Sequence, residues 1–191
     1  MKLRTTFDTY SLIKDLQDLF FVNLKIEDQK GLTMKIKKTN AMRHLDTLKI
    51  PYSVHELKLG EAVDAITVAN QLNASVDRVF KTLVTVSNDK EYFVFMIPAQ
   101  AHLSLKKAAK IVGKKKVEMI AQKQLLPLTG YVHGGCSPLG MKKQFPTYFD
   151  QSALNFETIY FSAGKIGVQI EMDPHYLEPA AKAKPADLCE E

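Results

Sequence analysis

Two apolar runs, Val79 to Val86 and Glu91 to Ile97, are joined by Ser87-Asn88-Asp89-Lys90. A turn-forming tetrapeptide between two β-rich runs predicts an antiparallel hairpin. On the first strand Val79, Lys81, Leu83 and Thr85 share one face, and Phe80, Thr82, Val84 and Val86 share the other. Both faces are mostly apolar, as in a strand at the centre of a sheet. Any fold containing this hairpin must supply layers to cover it. A chain of 191 residues with 46% hydrophobic and 25% charged residues has ordinary soluble composition and can bury such a core.

The rest of the chain supplies candidate layers. Asn40 is a candidate N-cap for a helix through Met42, Leu45 and Leu48 that ends before Pro51. Tyr52, Val54 and Leu57 alternate as a strand, and Glu61 to Leu72 has a helical apolar face of Ala62, Ala65, Val68 and Leu72. Ser104 caps a basic helix stopping at Gly113, Lys116 to Ile120 is strand-like, and 121–126 suit a helical turn or two. Thr147 to Phe149, Phe156 to Ser162 and Ile166 to Met172 are further strands, the last two joined by Ala163-Gly164-Lys165. The expected class is mixed α+β: a single domain over 34–177 with a mixed, largely antiparallel sheet flanked by helices. Residues 1–33 form a charge-neutral extension with one short amphipathic helix, and 178–191 a low-complexity, flexible tail.

The excess of Lys and Arg lies wholly beyond residue 33 and contributes the net charge of +5. That raises the odds of a polyanionic partner without requiring one. Cys136 and Cys189 are too few for a disulfide framework and share no CxxC spacing, which suits a reducing cytoplasm. The start, Met1-Lys2-Leu3-Arg4, is basic like a signal peptide, but Asp8, Lys14, Asp15 and Asp18 interrupt any apolar region after it. No stretch approaches the ~20 apolar residues of a membrane span.

Two features could carry chemistry. Lys81 is a lone charge inside the apolar run, and an ammonium there must be paired, deprotonated or open to a cleft. It could also be an edge-strand lysine that deters aggregation. The segment Gly130 to Gly140 holds four glycines and Pro138, so its backbone can approach a ligand closely, or it simply connects strands. It has the spacing neither of a P-loop nor of GxGxxG. Ser137 lacks evident base and acid companions, Cys136 with His133 is a weak thiol-nucleophile signal, and no metal-ligand cluster is present. Lys106, Lys107, Lys110, Lys114, Lys115 and Lys116, with Lys142 and Lys143 beside the glycine segment, form either a solvated face or phosphate contacts.

Several segments, in order over about residues 36–177, resemble the YbaK/EbsC family. They are Phe80-Lys81-Thr82-Leu83, Leu105-Lys106-Lys107-Ala108-Ala109-Lys110, Lys115-Lys116-Val117-Glu118-Met119, Thr129-Gly130-Tyr131, Gly134-Gly135-Cys136-Ser137-Pro138-Leu139-Gly140 and Ile159-Tyr160-Phe161-Ser162-Ala163-Gly164-Lys165. These are free-standing relatives of the editing domain of bacterial prolyl-tRNA synthetase. The resemblance implies that fold, and a cytoplasmic aminoacyl-tRNA deacylase that removes cysteine from proline tRNA and also from cysteine tRNA. The implied mechanism is substrate-assisted: the cysteine thiol attacks its own ester and leaves as a thiolactone.

It further implies a pocket between Lys81 and the loop Gly134 to Pro138. Lys81, Gly134 and Gly135 are the expected catalytic residues, with the two glycine amides holding the oxyanion and Lys81 positioning the terminal adenosine or its phosphate. Thr82, Ser137, Pro138, Ser162 and Glu171 are expected to bind substrate, and Lys106, Lys107, Lys110, Lys142 and Lys143 to bind tRNA. No cofactor or metal is expected; aminoacyl-tRNA is the expected partner, with prolyl-tRNA synthetase a candidate to present it. Leu57 stands where better-known members have a pocket tyrosine, and the C-terminal helix is altered after Leu177. Two alternatives stay open: a deacylase with another specificity such as alanine, and a non-catalytic tRNA- or nucleotide-binding module.

Overall fold

The expected hairpin forms, and the other elements are arranged on both of its faces. The computed structural model describes residues 37–58 and 64–190. The extension expected over 1–33 and the helix start expected at Glu61 lie outside the described residues. Up to the hairpin the chain forms α1 (Asn40–Leu48), β1 (Ser53–Glu56), α2 (Ala65–Leu72) and a 3-10 turn (Val76–Arg78). The hairpin is β2 (Phe80–Ser87) and β3 (Tyr92–Pro98), followed by α3 (Leu105–Ile111), β4 (Val117–Met119), α4 (Gln122–Thr129) and β5 (Thr147–Asp150). Then come β6 (Ile159–Lys165), β7 (Val168–Met172), α5 (Leu177–Ala181) and β8 (Lys184–Ala186).

The strands make a five-stranded sheet, β4-β2-β3-β5-β8, and a three-stranded one, β1-β7-β6. Pairing is antiparallel except for β3 with β5 and β5 with β8. The sheets touch backbone to backbone at one parallel bridge, Val79 to Tyr160. The mixed, mainly antiparallel α+β class expected from the hairpins is what forms.

The alternation of β2 and β3 accounts for the layers. Phe80 and Met96, on one face, join Phe149, Phe161, Ile170 and α1's Met42 and Leu45 in the main core between the sheets. On the other face Phe93, Phe95 and Ile97 pack with Ala108 and Ala109 of α3. α2 covers the outer face of the small sheet, where Val68 and Ala69 meet Leu57, Val79 and Tyr160. Asp64 caps α2 at Thr67 N–H (2.9 Å) and Ser104 caps α3 at Lys107 N–H (3.4 Å).

Three local expectations are corrected. Thr39, not Asn40, caps α1, because its hydroxyl reaches Met42 N–H at 3.3 Å. Ala163-Gly164-Lys165 belongs to β6, where a bulge and Gly164 at φ 90° absorb the irregularity; the chain reverses at Ile166-Gly167 instead. Residues 178–190 are built into the fold rather than frayed. β8 extends the sheet, Leu188 is fully buried, and its N–H donates to Asp150 at 3.0 Å. Buried Ala180, Ala181, Ala183 and Leu188, the β5–β8 ladder and a bridge from Leu103 to Cys189 hold a segment whose composition suggested disorder.

Burial of a leucine with a cavity left on truncation costs about 2–4 kcal/mol. Leu188→Ala should therefore destabilise the chain by about that amount in urea unfolding. A change within ~0.5 kcal/mol, typical of exposed sites, would show the tail to be loose.

Candidate active site

Strand β2 places Lys81 on the face it shares with Val79 and Leu83, so the lysine lies between the cluster around Tyr160 and the cluster around Phe95 and Ile97. It is half-buried and makes no hydrogen bond or ion pair among the described residues. Burial pushes its ammonium pKa down, with the Cys189 thiol opposing that only in part. An unpaired cation in such a place is costly and is the kind of group retained for a ligand. Lys81 pairs with Ile97 of β3, while β4 pairs with β2 only over Thr85–Ser87, so among the described residues one side of β2 carries no ladder at Lys81.

Thr82 points to the opposite face, between Phe80 and Val84, and its buried hydroxyl has no hydrogen-bond partner. From that side the glycine segment approaches: Tyr131 and Cys136 pack on Val84 and Val94. The segment also reaches the small sheet, for a Cβ on Gly135 would lie 3.1 Å from Ile166 N. Gly164 can carry no side chain, because a Cβ would come within 2.5 Å of Tyr131 Cε1. Tyr131 Oη donates to Leu139 O at 2.7 Å and braces the loop. Beyond the Val79–Tyr160 bridge β2 and β6 share no ladder, and the glycine segment fills the space between them. Thr82 thus lies on the face of β2 where the loop backbone packs, Lys81 on the opposite face, and Ser162 is half-buried on β6.

Loop geometry changes which amides can serve. Gly135 N–H donates to Val132 O at 3.0 Å, closing a type II turn whose third residue, Gly134, takes φ 79°. Gly135's amide is engaged in that turn, contrary to its expected role. The N–H groups of Gly134, Cys136 and Ser137 make no hydrogen bond among the described residues. Pro138 and Ser137 are buried, and Ser137 Oγ accepts Leu139 N–H at 3.4 Å, so both shape the loop.

Activated nucleophiles do not emerge among the described residues. Burial pushes the Cys136 thiol up to about 12, so it stays protonated at neutral pH. His44 bonds to Ala180 O, His55 to Glu171 and His175 to Asp173, none to a serine or cysteine.

Glu171 is not free for substrate. Its carboxylate accepts from Arg78 (3.0 Å) and Thr158 (2.6 Å) and meets His55 Nε2 at 2.9 Å. Arg78 also lies 4.8 Å from the centroid of the Tyr160 ring and donates to Thr158 O at 2.9 Å. Sequence reasoning passed over Arg78 and His55. The one available signal was Arg78's place two residues before the half-buried strand begins.

The lysines expected to bind tRNA are divided. Lys106 and Lys110 are exposed on α3, on one face of the large sheet. Lys107 is tied to Asp187 and Cys189 O, both at 2.9 Å, holding the tail. Lys142 and Lys143 are exposed next to the glycine segment, which packs on the opposite face.

Comparison with known proteins places this geometry. Residues 60–179 match the model of the aminoacyl-tRNA editing domain family. A relative from Enterococcus faecalis, named as a candidate Cys-tRNA(Pro)/Cys-tRNA(Cys) deacylase, EbsC, is 50% identical over 139 residues, 72% of this chain and 85% of the relative. A solved structure described as a candidate trans-editing enzyme for prolyl-tRNA synthetase superposes with TM-score 0.74 at 24% identity, covering 83% of this chain and 99% of that one. The structure of a hypothetical protein also gives TM-score 0.74, at 21% identity, over 80% of this chain and all (100%) of its own. The two structural likenesses speak to fold alone.

The carboxylate cluster makes a pH prediction. Burial alone would raise the Glu171 carboxyl, but hydrogen bonds from Thr158 and its neighbours outweigh that and hold it below the usual 4.5. A depressed acid contributes stability above its unfolded pKa and loses it as pH falls through the folded value. Stability should therefore decline below about pH 4.5. Glu171→Gln should cost about 1–3 kcal/mol at neutral pH and flatten that decline. Urea unfolding across pH reads both, and an unaltered acid slope would refute the clamp.

Proposed function

The chain belongs to the aminoacyl-tRNA editing family and is an aminoacyl-tRNA deacylase; from that premise we propose that it acts in trans on proline tRNA mischarged with cysteine, with cysteine tRNA as a further candidate substrate. The observations that carry the reading are a half-buried lysine without an ion pair, a glycine loop with unbonded amides, and no activated nucleophile, all among the described residues. An ester held there needs its nucleophile from elsewhere, and a cysteinyl ester brings one.

In the proposed reaction the substrate's sulfur bonds to its own carbonyl carbon, giving a tetrahedral oxyanion. The carbon–oxygen ester bond then breaks, and the terminal ribose oxygen leaves with the proton that the thiol gave up. The products are uncharged tRNA and a cyclic thiolactone. Gly134, Cys136 and Ser137 N–H groups are the candidate oxyanion donors, each typically worth about 3–4 kcal/mol. Gly135 supports them through its turn. Lys81 holds the terminal adenosine or its phosphate by charge, Ser162 and the buried, unpartnered Thr82 hydroxyl are further candidate contacts, and Pro138 fixes the loop by its restricted φ. A specificity shift toward alanine is a second reading only at Leu57, which is buried against Val68 and Tyr160. Prolyl-tRNA synthetase is the proposed partner presenting the substrate, and the cytoplasm the proposed compartment. Among the described residues no helix is long and apolar enough to cross a membrane.

Purified chain should deacylate Cys-tRNA(Pro) and release a thiolactone, while Ser-tRNA(Pro) and Ala-tRNA(Pro) persist. Hydrolysis of all three at similar rates would show that the thiol plays no part. Lys81→Met should lower kcat/KM by about 100-fold or more and leave stability unchanged or higher, because a costly ammonium leaves a partly apolar site. Wild-type activity should also fall with rising pH before the ordinary lysine range, as the depressed Lys81 ammonium loses its proton.

A further inference from the structure

Beside the glycine segment runs a groove lined by Lys37, Lys38, Arg43 and Lys165 together with Gly130 and Gly164. Its four cations come from two separated stretches, the approach to α1 and the end of β6. No aspartate or glutamate lines it among the described residues. Lys142 reaches the same place: its side chain lies 3.1 Å from where a Gly130 Cβ would stand. Lys38 is bridged to Asp46 at 2.6 Å, and Arg43 donates to Lys38 O and Asn40 Oδ1. Lys37, Lys142 and Lys165 are exposed and have no ion pair among the described residues.

The contrast with the rest of the basic surface is what makes the groove informative. Lys107 is bound to Asp187, Lys114 to Asp89 and Glu91, and Lys116 to Glu118. Those pairs take up three of the six lysines in the stretch that stands out in the sequence. Uncompensated charge also collects where two sequence-distant segments meet, next to the glycine segment. The groove is also continuous with the site, because the Lys165 carbonyl carbon lies 3.3 Å from a Cβ position on Gly135.

We infer that this groove, through Lys37 and Lys165 with Lys142 at its rim, is a phosphate-backbone subsite for the acceptor strand of the tRNA. The inference rests on the reading of the chain as an aminoacyl-tRNA deacylase and deepens it by saying where the RNA leaves the ester site. Lysines that meet phosphates bind through counterion release, so their contribution shows in the salt dependence and not in the chemical step. They act on KM for the whole tRNA and leave kcat alone.

The test uses the full chain carrying Lys37→Glu with Lys165→Glu, and separately Lys37→Gln with Lys165→Gln. Binding of uncharged tRNA is measured by anisotropy from ~50 to 200 mM salt. Expected for the neutral pair is a loss of about tenfold in affinity and a fall of about 1.5 in the salt slope, with a larger loss for the charge-reversed pair. KM for Cys-tRNA(Pro) should rise in parallel at constant kcat, while a cysteinyl ester of adenosine alone is cleaved as by wild type. Lys184→Glu on the edge strand β8 serves as the charge-matched control. Unchanged affinity and slope in both pairs overturn the subsite and leave the deacylase reading standing. An equal loss in the control, or a loss of kcat on the adenosine ester, overturns it too. Salt-sensitive tRNA binding that depends on Lys37 and Lys165 but comes with no hydrolysis would support the groove while removing the deacylase reading.

Discussion

Among the described residues one parallel bridge, between Val79 and Tyr160, joins the two sheets, and most other features of the molecule follow from its position. Two backbone segments in register at one point only are weakly held by themselves. Here the bridge is fastened by side chains: Arg78, one residue before it, lies over the Tyr160 ring and reaches Thr158 and Glu171. His55 approaches the same carboxylate from β1 and meets the ring edge-on at 5.5 Å. Charge-assisted bonds at partly buried positions are geometrically demanding, so the cluster sets the angle at which the sheets meet.

The glycine segment meets both sheets with little side-chain bulk, packing Tyr131 and Cys136 onto β2 and β3 and leaving several amides unbonded. Close approach of Gly164 to the Tyr131 ring shows how tightly the segment is fitted. Lys81 lies two residues past the bridge, where β2 pairs with β3 alone, and stays half-buried without an ion pair among the described residues.

Much of this was legible beforehand. The hairpin, its two apolar faces, the caps at Ser104 and the strands up to Met172 follow from local pattern, because periodicity and turn chemistry act over a few residues. The glycine segment and Lys81 were also visible, since glycine clusters and a lone charge in an apolar run break pattern wherever they occur. What the pattern could not reveal were matters of partnership. Glu171 looks like any polar strand residue until Arg78, Thr158 and His55 are seen to surround it. The tail looks loose until β5 offers it a ladder and Asp150 an acceptor. Lysine density in 106–116 looks like an RNA-binding surface until acids from elsewhere neutralise part of it.

The sequence by itself determined the class of fold, the central hairpin and the residue types of the site. Those properties depend on spacing along the chain, and each has a local physical cause. Only the tertiary structure decided that the glycine segment packs on the Thr82 face of β2 and not the Lys81 face, that Gly135's amide closes a turn, and that Lys37 and Lys165 share a groove. Such facts depend on which distant segments the core brings together. The packing that unites them is set by the summed burial of many apolar side chains, a sum that no short stretch of sequence contains.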